Sequence, residues 1–419
     1  MHKVAEIIAI GSELLTPQRM DTNSLVVTES LNSLGVEVVT KQVVGDDRAR
    51  LTDAIRTAVQ RSDIVVLIGG LGPTEDDVTR DAAAAALGRK LVLSLEQESI
   101  LIGKFRLINR QMAPNNLRQA YLVEGAEALP NPHGSAPGQF LSTDRGALAM
   151  LPGPPRELKP MVADELTPRL RPVIPPQVIK ERTFRITGIG ESDLDTLIAP
   201  VYTKYTNPTT TVLSSPGDLF VSLRAIAETE GRADGLLREV GNAIASLLGN
   251  RIYSEDPKET LDQVVGRLLR KNHATVATAE SCTGGLIAAR LTERGGSSDF
   301  FLAGYVAYTD AQKQEMLGVS GKLIEKHSAV SEPVAAAMAE GARGRSGASY
   351  ALSSTGYAGP SGGTDHDPIG TVYLGIAGPG ETRVLRIRYV PERERVRALS
   401  TQAALELLRR TLMKVSLSN

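Results

Sequence analysis

The stretch that decides the fold runs from VAEIIAI (residues 4–10) through VEVVTKQVV (36–44) to DIVVLIGG (63–70). These three runs are short and rich in β-branched residues, which is typical of buried strands. Between them lie two amphipathic segments, DTNSLVVTESLNSLG (21–35) and RARLTDAIRTAVQRS (48–62). Strands that alternate with helices predict a parallel sheet covered on both faces. We therefore expect the N-terminal part of the chain to be an α/β domain.

The length and composition predict a folded protein of two or three domains, because 419 residues exceed what one hydrophobic core usually organises. Lys and Arg together number 47 and Asp and Glu 48, so no global positive field would attract nucleic acid or an acidic membrane. The single cysteine excludes an intrachain disulfide and a cysteine-rich zinc site. With no signal-peptide pattern and no long apolar run, we expect a cytoplasmic protein.

Three domains are expected, at residues 1–170, 171–255 and 256–419. A proline-rich segment, RLRPVIPPQVIKERTF, predicts a linker after the first of them. The middle segment predicts a small α+β module. We interpret it as a spacer or dimerisation unit, with RNA binding as the less favoured alternative because it lacks a basic run and an aromatic platform. The last domain begins with a helical stripe of apolar residues at 261–269 and continues as a second α/β unit.

A glycine loop with three acids follows the third strand of the first domain. Gly69, Gly70 and Gly72 would let backbone amides approach a phosphate at the start of the next helix. Carboxylates beside a phosphate would repel it unless a divalent cation lies between them, which predicts metal-assisted phosphate chemistry. The alternative is one capping acid and two solvated ones. The three acids are Glu75, Asp76 and Asp77. Four further polar residues lie at strand ends or helix starts of the same sheet: Glu13, Asp21, Asn23 and Asp46.

The stretch ATAESCTGG, residues 277–285, offers three neighbouring nucleophiles, Ser281, Cys282 and Thr283. A catalytic cysteine needs a histidine partner, and the nearest candidate, His366, is expected to be solvent-exposed. Cys282 is therefore expected to be a buried filler, and Thr283 a helix cap. Ser281 has a better partner in Lys313, since a desolvated lysine can act as the base of a Ser–Lys pair.

Two further features of the last domain predict anion recognition. Thr355 and Gly356 end a strand before a glycine-rich loop, whose amides could meet an oxyanion or a phosphate. Arg393 and Arg397 are four residues apart on the last helix, so both project from one face and could bind a 5′-phosphate. The alternative is a solvated basic face.

Six motifs resemble those of the CinA family. IGSELL with DTN, GGLGPTEDD and LPGPPREL are similar to its molybdopterin-binding-like domain, and AESCTGG, YVAYTDAQK and SSTGYAGPSGG to its C-terminal amidohydrolase domain. The resemblance covers nearly the whole chain. It implies a three-layer α/β first domain, a KH-type middle domain and an α/β last domain. It also implies two activities: cleavage of ADP-ribose to AMP and ribose 5-phosphate, and deamidation of nicotinamide mononucleotide to nicotinic acid mononucleotide and ammonia.

The resemblance assigns residues to both sites. It places functional roles in the last domain on Ser281, Ser298, Tyr308, Lys313 and Thr355. The predicted substrate-binding residues there are Glu280, Gly284, Gly285, Gly356, Gly359, Arg393 and Arg397. The predicted catalytic residues of the first domain are Asp46, Asp76 and Asp77, of which Asp46 and Asp77 match acidic positions of the molybdenum-cofactor enzymes. Asp76 and Asp77 are also the predicted metal ligands, and Gly69, Gly70, Gly72, Glu13 and Asn23 the predicted substrate contacts.

Pro17 and Tyr357 depart from the family's usual glycine and aliphatic residue, at the mouth of the first site and beside the second. We expect a divalent metal such as Mg²⁺ in the first domain, no cofactor in the last, and a homodimer without membrane or nucleic-acid partners. Two other functions stay open. A protein acting in DNA uptake or recombination would need a basic and aromatic patch, and a molybdopterin-binding protein would not need a fused amidase.

Overall fold

The computed structural model describes residues 3–107 and 109–414. The chain divides into two compact units. One runs up to Lys180 and adds Arg224–Leu236, and the other comprises Glu181–Leu223 and the chain from Leu237 onward. None of the described helices has a stretch long and apolar enough to cross a bilayer.

The N-terminal elements follow the predicted alternation. The strands are β1 Val4–Ile10, β2 Glu37–Val44, β3 Ile64–Ile68, β4 Leu91–Leu93, β5 Tyr121–Val123, β6 Glu127–Leu129, β7 Gly138–Ser142 and β8 Ala147–Leu151. The helices are α1 Asn23–Ser33, α2 Arg48–Arg61, α3 Thr79–Leu87, α4 Leu95–Leu107, α5 Pro155–Pro160 and α6 Thr167–Leu170, with a π-helical turn at Met161–Leu166 joining the last two.

Six of these strands form one sheet in the order β2-β1-β3-β8-β7-β6, and the first four are parallel. Alternate residues of β1 enter two different cores. Ala5 and Ile7 pack with α1 and α5, whereas Ile8 and Ile10 pack with α2 and α3. Helices therefore cover both faces of the sheet, and the three-layer α/β prediction is confirmed. The carboxyl ends of β1, β2, β3 and β8 share one edge.

The middle module contains β9 Val178–Ile186, α7 Glu191–Tyr202, β10 Thr209–Ser215, β11 Asp218–Ala227, α8 Glu230–Leu248 and β12 Ile252–Ser254. Its four strands form a sheet in the order β10-β11-β9-β12. Side chains of β11 alternate between buried and half-buried positions, with Leu219, Val221, Leu223 and Ala225 turned inward. A sheet with one buried face agrees with the predicted α+β module.

The C-terminal elements form a second three-layer unit. The strands are β13 Val276–Glu280, β14 Phe301–Val306, β15 Tyr350–Gly356, β16 Thr371–Ala377 and β17 Thr382–Arg388, in the sheet order β14-β13-β15-β16-β17. The helices are α9 Leu261–Lys271, α10 Leu286–Thr292, α11 Asp310–Leu317, α12 Gly321–His327, α13 Glu332–Ser346 and α14 Arg393–Leu412. The first three strands of the sheet order are parallel, so the residues after β13, β14 and β15 meet at one edge.

Candidate active sites

The turn after β13 brings Ser281 to the carboxyl edge of the C-terminal sheet. The Ser281 amide donates to the Ser354 carbonyl at 2.9 Å, which extends the pairing of β13 with β15 by one residue. The chain then turns sharply at Gly284 and Gly285, whose φ angles of 60° and 93° favour glycine. Ser281 is 9% exposed, so its hydroxyl lies in a largely desolvated position.

Glu280, not Thr283, caps helix α10. One carboxylate oxygen of the fully buried Glu280 accepts from the amides of Gly285 and Ile287 at 2.9 and 3.0 Å, and the other from the amide of Ala288 at 2.8 Å. The Thr283 hydroxyl also donates to Glu280 at 2.7 Å. These bonds engage both oxygens, so Glu280 holds the turn that carries Ser281, and the binding of substrate by Glu280 stays a prediction.

Lys313 faces Ser281 from the first turn of α11. Its Nζ lies 3.4 Å from Ser281 Oγ and 3.2 Å from the Tyr308 carbonyl oxygen, and the residue is 2% exposed. Burial lowers the pKa of Lys313 below the ordinary lysine value, although the Asp310 carboxylate at 3.7 Å acts in the opposite direction. A lysine with a lowered pKa next to a serine hydroxyl is the geometry that a Ser–Lys pair needs.

Cys282 lacks the environment of a catalytic thiol. Its side chain is buried in the core formed with α9, α10 and α14. Burial raises the pKa of the Cys282 thiol to about 12, so the reactive thiolate is not populated near neutral pH. His366, the nearest candidate partner by sequence, is solvent-exposed as expected. Of the three neighbouring nucleophiles, Ser281 is the one whose side chain lies within hydrogen-bond reach of Lys313.

Two arginines of α14 reach the same edge of the sheet. One guanidinium nitrogen of Arg393 donates to the Gly359 carbonyl at 2.8 Å, and another lies 3.1 Å from the hydroxyl of Tyr308. Arg397 donates to the Thr283 carbonyl at 3.0 Å. Tyr308 is 55% exposed, so its ring lies at the surface of the site while its carbonyl contacts Lys313.

Thr355 and Ser298 lie differently from the expectation. The buried Thr355 hydroxyl donates to the Ala329 carbonyl at 2.8 Å, which engages its proton away from the Ser281 turn. Gly356 is the last residue of β15, and a side chain there would collide with the Thr371 carbonyl. Ser298 lies in the short helix before β14, at the amino edge of the parallel strands, whereas Ser281 follows their carboxyl edge. Within one chain, Ser298 therefore does not reach the Ser281–Lys313 pair.

The glycine loop of the first domain occupies the corresponding edge. A Cβ at Gly69 would lie 2.4 Å from the Ile10 carbonyl oxygen, and one at Gly70 would lie 2.2 Å from the Thr79 hydroxyl. The loop therefore requires glycine at both positions. Gly153, in the loop after β8, lies beside Gly69 and accepts a 2.6 Å bond from the Asn23 side chain. The structure brings Gly69, Gly70 and Asn23 together.

Asp77 shapes this loop. Its carboxylate accepts from the amides of Gly72 and Thr74 at 2.8 and 2.9 Å and from the Thr74 hydroxyl at 2.5 Å. The exposed Asp76 contacts the same hydroxyl. The carboxylates of Asp76 and Asp77 thus converge on the Thr74 hydroxyl, which has one proton to donate. A divalent cation would reduce the repulsion between these two carboxylates. The residues fit a cation held jointly with substrate oxygens, although the described residues contain no group of three or more His, Cys, Asp or Glu side chains arranged to hold a metal.

The remaining predicted residues of the first site lie on the neighbouring loops. The Asp46 carboxylate accepts from the Ser12 amide at 2.7 Å, and the Ser12 hydroxyl accepts from the Asp46 amide at 3.0 Å, which ties the loops after β1 and β2 together. Glu13 is exposed beside Gly11. Asp21 accepts from the Ser24 amide at 3.0 Å in the first turn of α1.

The sequence analysis did not identify Arg80, which is buried beneath the glycine loop and donates to the carbonyls of Leu71 and Gly72 at 2.6 and 2.8 Å. One signal was available. Arg80 and Asp81 are followed on α3 by five alanines, of which Ala82, Ala83 and Ala84 are buried. An arginine on so apolar a helix is expected to contact the protein interior on at least one side.

The comparisons with known proteins follow this division of the chain. The model of the CinA C-terminal domain matches residues 258–412, that of the damage-inducible protein CinA KH domain matches 181–254, and one described as "Probable molybdopterin binding domain" matches 6–172. One solved structure that is similar is that of a competence-damaged protein (CinA) superfamily protein from Klebsiella pneumoniae 700603. It is 35% identical in sequence, the match covers 37% of this chain and 96% of the chain in that structure, and the TM-score is 0.36.

Full-length relatives are similar as well. A CinA-like protein of Solibacter usitatus (strain Ellin6076) is 53% identical over 409 residues, which is 97% of this chain and 98% of the relative. Another, from Koribacter versatilis (strain Ellin345), is 43% identical over 414 residues, covering 98% and 100%. The resemblance inferred from the six motifs is confirmed, and the chain belongs to the CinA family.

Proposed function

We propose that the C-terminal domain is an amidohydrolase that deamidates nicotinamide mononucleotide. The observation that carries this proposal is the buried pair of Lys313 Nζ and Ser281 Oγ, 3.4 Å apart, with the lysine pKa lowered by burial. The separation is longer than a strong hydrogen bond, and such contacts often tighten when substrate excludes the remaining water. Membership of the CinA family supports the same assignment through the resemblance described above.

The proposed reaction proceeds through an acyl-enzyme. Ser281 Oγ attacks the carboxamide carbon while Lys313 Nζ takes the hydroxyl proton, and Lys313 then gives this proton to the departing nitrogen, which leaves as ammonia. Water, deprotonated by Lys313, attacks the ester and releases nicotinic acid mononucleotide with the serine restored. Backbone amides of the loop that follows Thr355 are the proposed donors to the oxyanion.

The arginines of α14 support a substrate that carries a phosphate. Arg397 borders the Ser281 turn through the Thr283 carbonyl, and Arg393 contacts the Gly359 carbonyl and the Tyr308 hydroxyl. Arginine binds phosphate in a bidentate and charge-assisted manner. We infer that one or both bind the 5′-phosphate, with Gly284 leaving room next to Arg397.

Substitution of the two neighbouring nucleophiles tests the proposal. Ser281→Ala is expected to lower ammonia release from nicotinamide mononucleotide by at least about 10³-fold, because no other group can form the ester. Cys282→Ala removes only a buried thiol and is expected to keep most of the activity. Wild-type activity in the serine variant would rule out the mechanism, and a loss confined to the cysteine variant would transfer the role to the thiol.

For the first domain we propose hydrolysis of ADP-ribose to AMP and ribose 5-phosphate. The glycine loop and the convergent carboxylates of Asp76 and Asp77 support a site for a pyrophosphate. A divalent cation held by these carboxylates together with the substrate would neutralise phosphate charge. The protein's own contribution is to shape the loop and to orient the substrate through Gly69, Gly70 and Asn23.

Chelation tests the predicted metal. Release of AMP from ADP-ribose is expected to stop in excess EDTA and to return when Mg²⁺ is added, while ammonia release from nicotinamide mononucleotide continues in the same sample. Undiminished AMP release in EDTA would exclude the metal role of Asp76 and Asp77.

The family model of the first domain favours a second candidate function, the binding of a molybdopterin. A fluorescent pterin that stays with the purified protein, without turnover of ADP-ribose, would support it. The homodimer and the cytoplasmic location stay predictions, and sedimentation velocity would measure the first directly.

A further inference from the structure

The carbonyl oxygens of residues 69–72, at the start of the glycine loop, are bound from the side of helix α3. Thr79 binds two of them: its hydroxyl donates to the Gly69 carbonyl at 2.8 Å, and its amide donates to the Gly70 carbonyl at 3.3 Å. Arg80 binds the next two, the carbonyls of Leu71 and Gly72. Four consecutive peptide units are therefore oriented by two adjacent residues of one helix.

This orientation fixes the direction of the amides. The peptide bonds of the loop are trans, so the C=O and N–H of each unit point in opposite directions. The carbonyls of Gly69 and Gly70 face α3, so the N–H groups of Gly70 and Leu71 in the same peptide units point away from the helix. Neither N–H group has an acceptor among the described residues. The positive φ angles of Gly69 and Gly70, 103° and 65°, give the loop the concave form that binds anions.

Arg80 also places a positive charge behind this loop. The residue is 2% exposed, and its guanidinium donates to two neutral carbonyls. Burial lowers the pKa of Arg80 to about 10, with the carboxylates of Asp77 and Asp81 acting in the opposite direction, so the guanidinium stays charged at neutral pH. A buried positive charge behind the loop favours an anion in front of the amides.

We propose that Arg80 is a positioning residue for phosphate binding in the first domain: its guanidinium holds the carbonyls of Leu71 and Gly72 so that the amides of Gly70 and Leu71 face a phosphate group of the substrate. The inference rests on the proposed ADP-ribose hydrolysis for the identity of that substrate. The loop geometry by itself requires only an anion of the phosphate class.

The experiment compares Arg80→Lys with a matched control, Arg89→Lys, in the full-length protein. Arg89 also donates to two carbonyls, those of Glu124 and Ser142, but on an exposed surface. Lysine keeps the charge and loses the fork that binds two carbonyls at once. We expect Arg80→Lys to raise the KM for ADP-ribose and the calorimetric Kd for inorganic pyrophosphate by about tenfold or more, with kcat changed less than about threefold. Arg89→Lys should change none of them.

Because ammonia release reports only on the C-terminal domain, the folding of the first domain in each variant is checked by the hydrogen-exchange protection of strands β1 and β3. Unchanged pyrophosphate affinity in Arg80→Lys, or a fall in kcat with KM unchanged, would overturn the inference. If Arg80→Lys fails to fold, hydrogen exchange on the wild type decides: pyrophosphate should protect the amides of Gly70 and Leu71, and absence of protection refutes the proposal. If pyrophosphate protects these amides but the protein does not turn over ADP-ribose, Arg80 keeps the proposed positioning role and the proposed reaction is wrong.

Discussion

Replacing Glu280 by glutamine would test how the Ser281 turn is held. In the wild type one carboxylate oxygen accepts from Thr283, Gly285 and Ile287, and the other accepts from the amide of Ala288. A glutamine can keep three of these bonds if its oxygen takes the first position. Its NH₂ group then faces the N–H of Ala288, and two donors confront each other in a buried site.

The cost follows from these contacts. The unsatisfied amide of Ala288 costs about 1–3 kcal/mol, and each remaining bond weakens because its acceptor is no longer charged. We expect about 2–4 kcal/mol of local destabilisation, which corresponds to a roughly 30- to 1000-fold larger equilibrium constant for opening of the first turn of α10. Because Ser281 follows Glu280 directly, turnover of nicotinamide mononucleotide should fall as well.

Hydrogen exchange of the amides of Ile287 and Ala288 measures this opening without assuming two-state unfolding of a multidomain chain. Glu293→Gln is the matched control, since Glu293 is exposed just after the same helix. Exchange at the wild-type rate together with unchanged turnover in Glu280→Gln would refute the role assigned to this carboxylate.

Four further predictions concern the proposed deamidase. Lys313→Met should abolish ammonia release while leaving thermal stability equal or higher, since it removes a desolvated ammonium. In the wild type, kcat/KM should rise with pH and level off below the ordinary lysine pKa of about 10.4, because burial lowers the pKa of Lys313. Between the pKa of Lys313 in the folded protein and the ordinary lysine pKa, the unfolded chain binds more protons than the folded one, so the wild type should become more stable as pH rises through this range. A stability difference between the wild type and Lys313→Met that does not change with pH would contradict this expectation. Arg397→Gln should raise the KM for nicotinamide mononucleotide about tenfold or more but leave turnover of nicotinamide riboside, which has no phosphate, unchanged; equal effects on both substrates would exclude phosphate binding by Arg397.

Local patterns predicted most of the elements. Strands β1, β2 and β3 and helices α1 and α2 lie within the segments from which the sequence analysis predicted them, because hydrophobic periodicity acts over a few residues. The short strands β4, β5 and β6 and helix α12 were not predicted. Elements of three to seven residues carry too few periods for a pattern, and contacts with the rest of the fold stabilise them.

By itself the sequence determined the α/β class, the family and the Ser281–Lys313 pair, since these depend on local periodicity and on short motifs. The tertiary structure alone decided which buried polar groups meet: Glu280 rather than Thr283 caps α10, and Arg80 binds carbonyls eight and nine residues before it. It also placed Ser298 and Ser281 at opposite ends of parallel strands. A buried polar group must find a partner wherever the packed chain provides one, and that partner is set by distances in space that residue spacing does not encode.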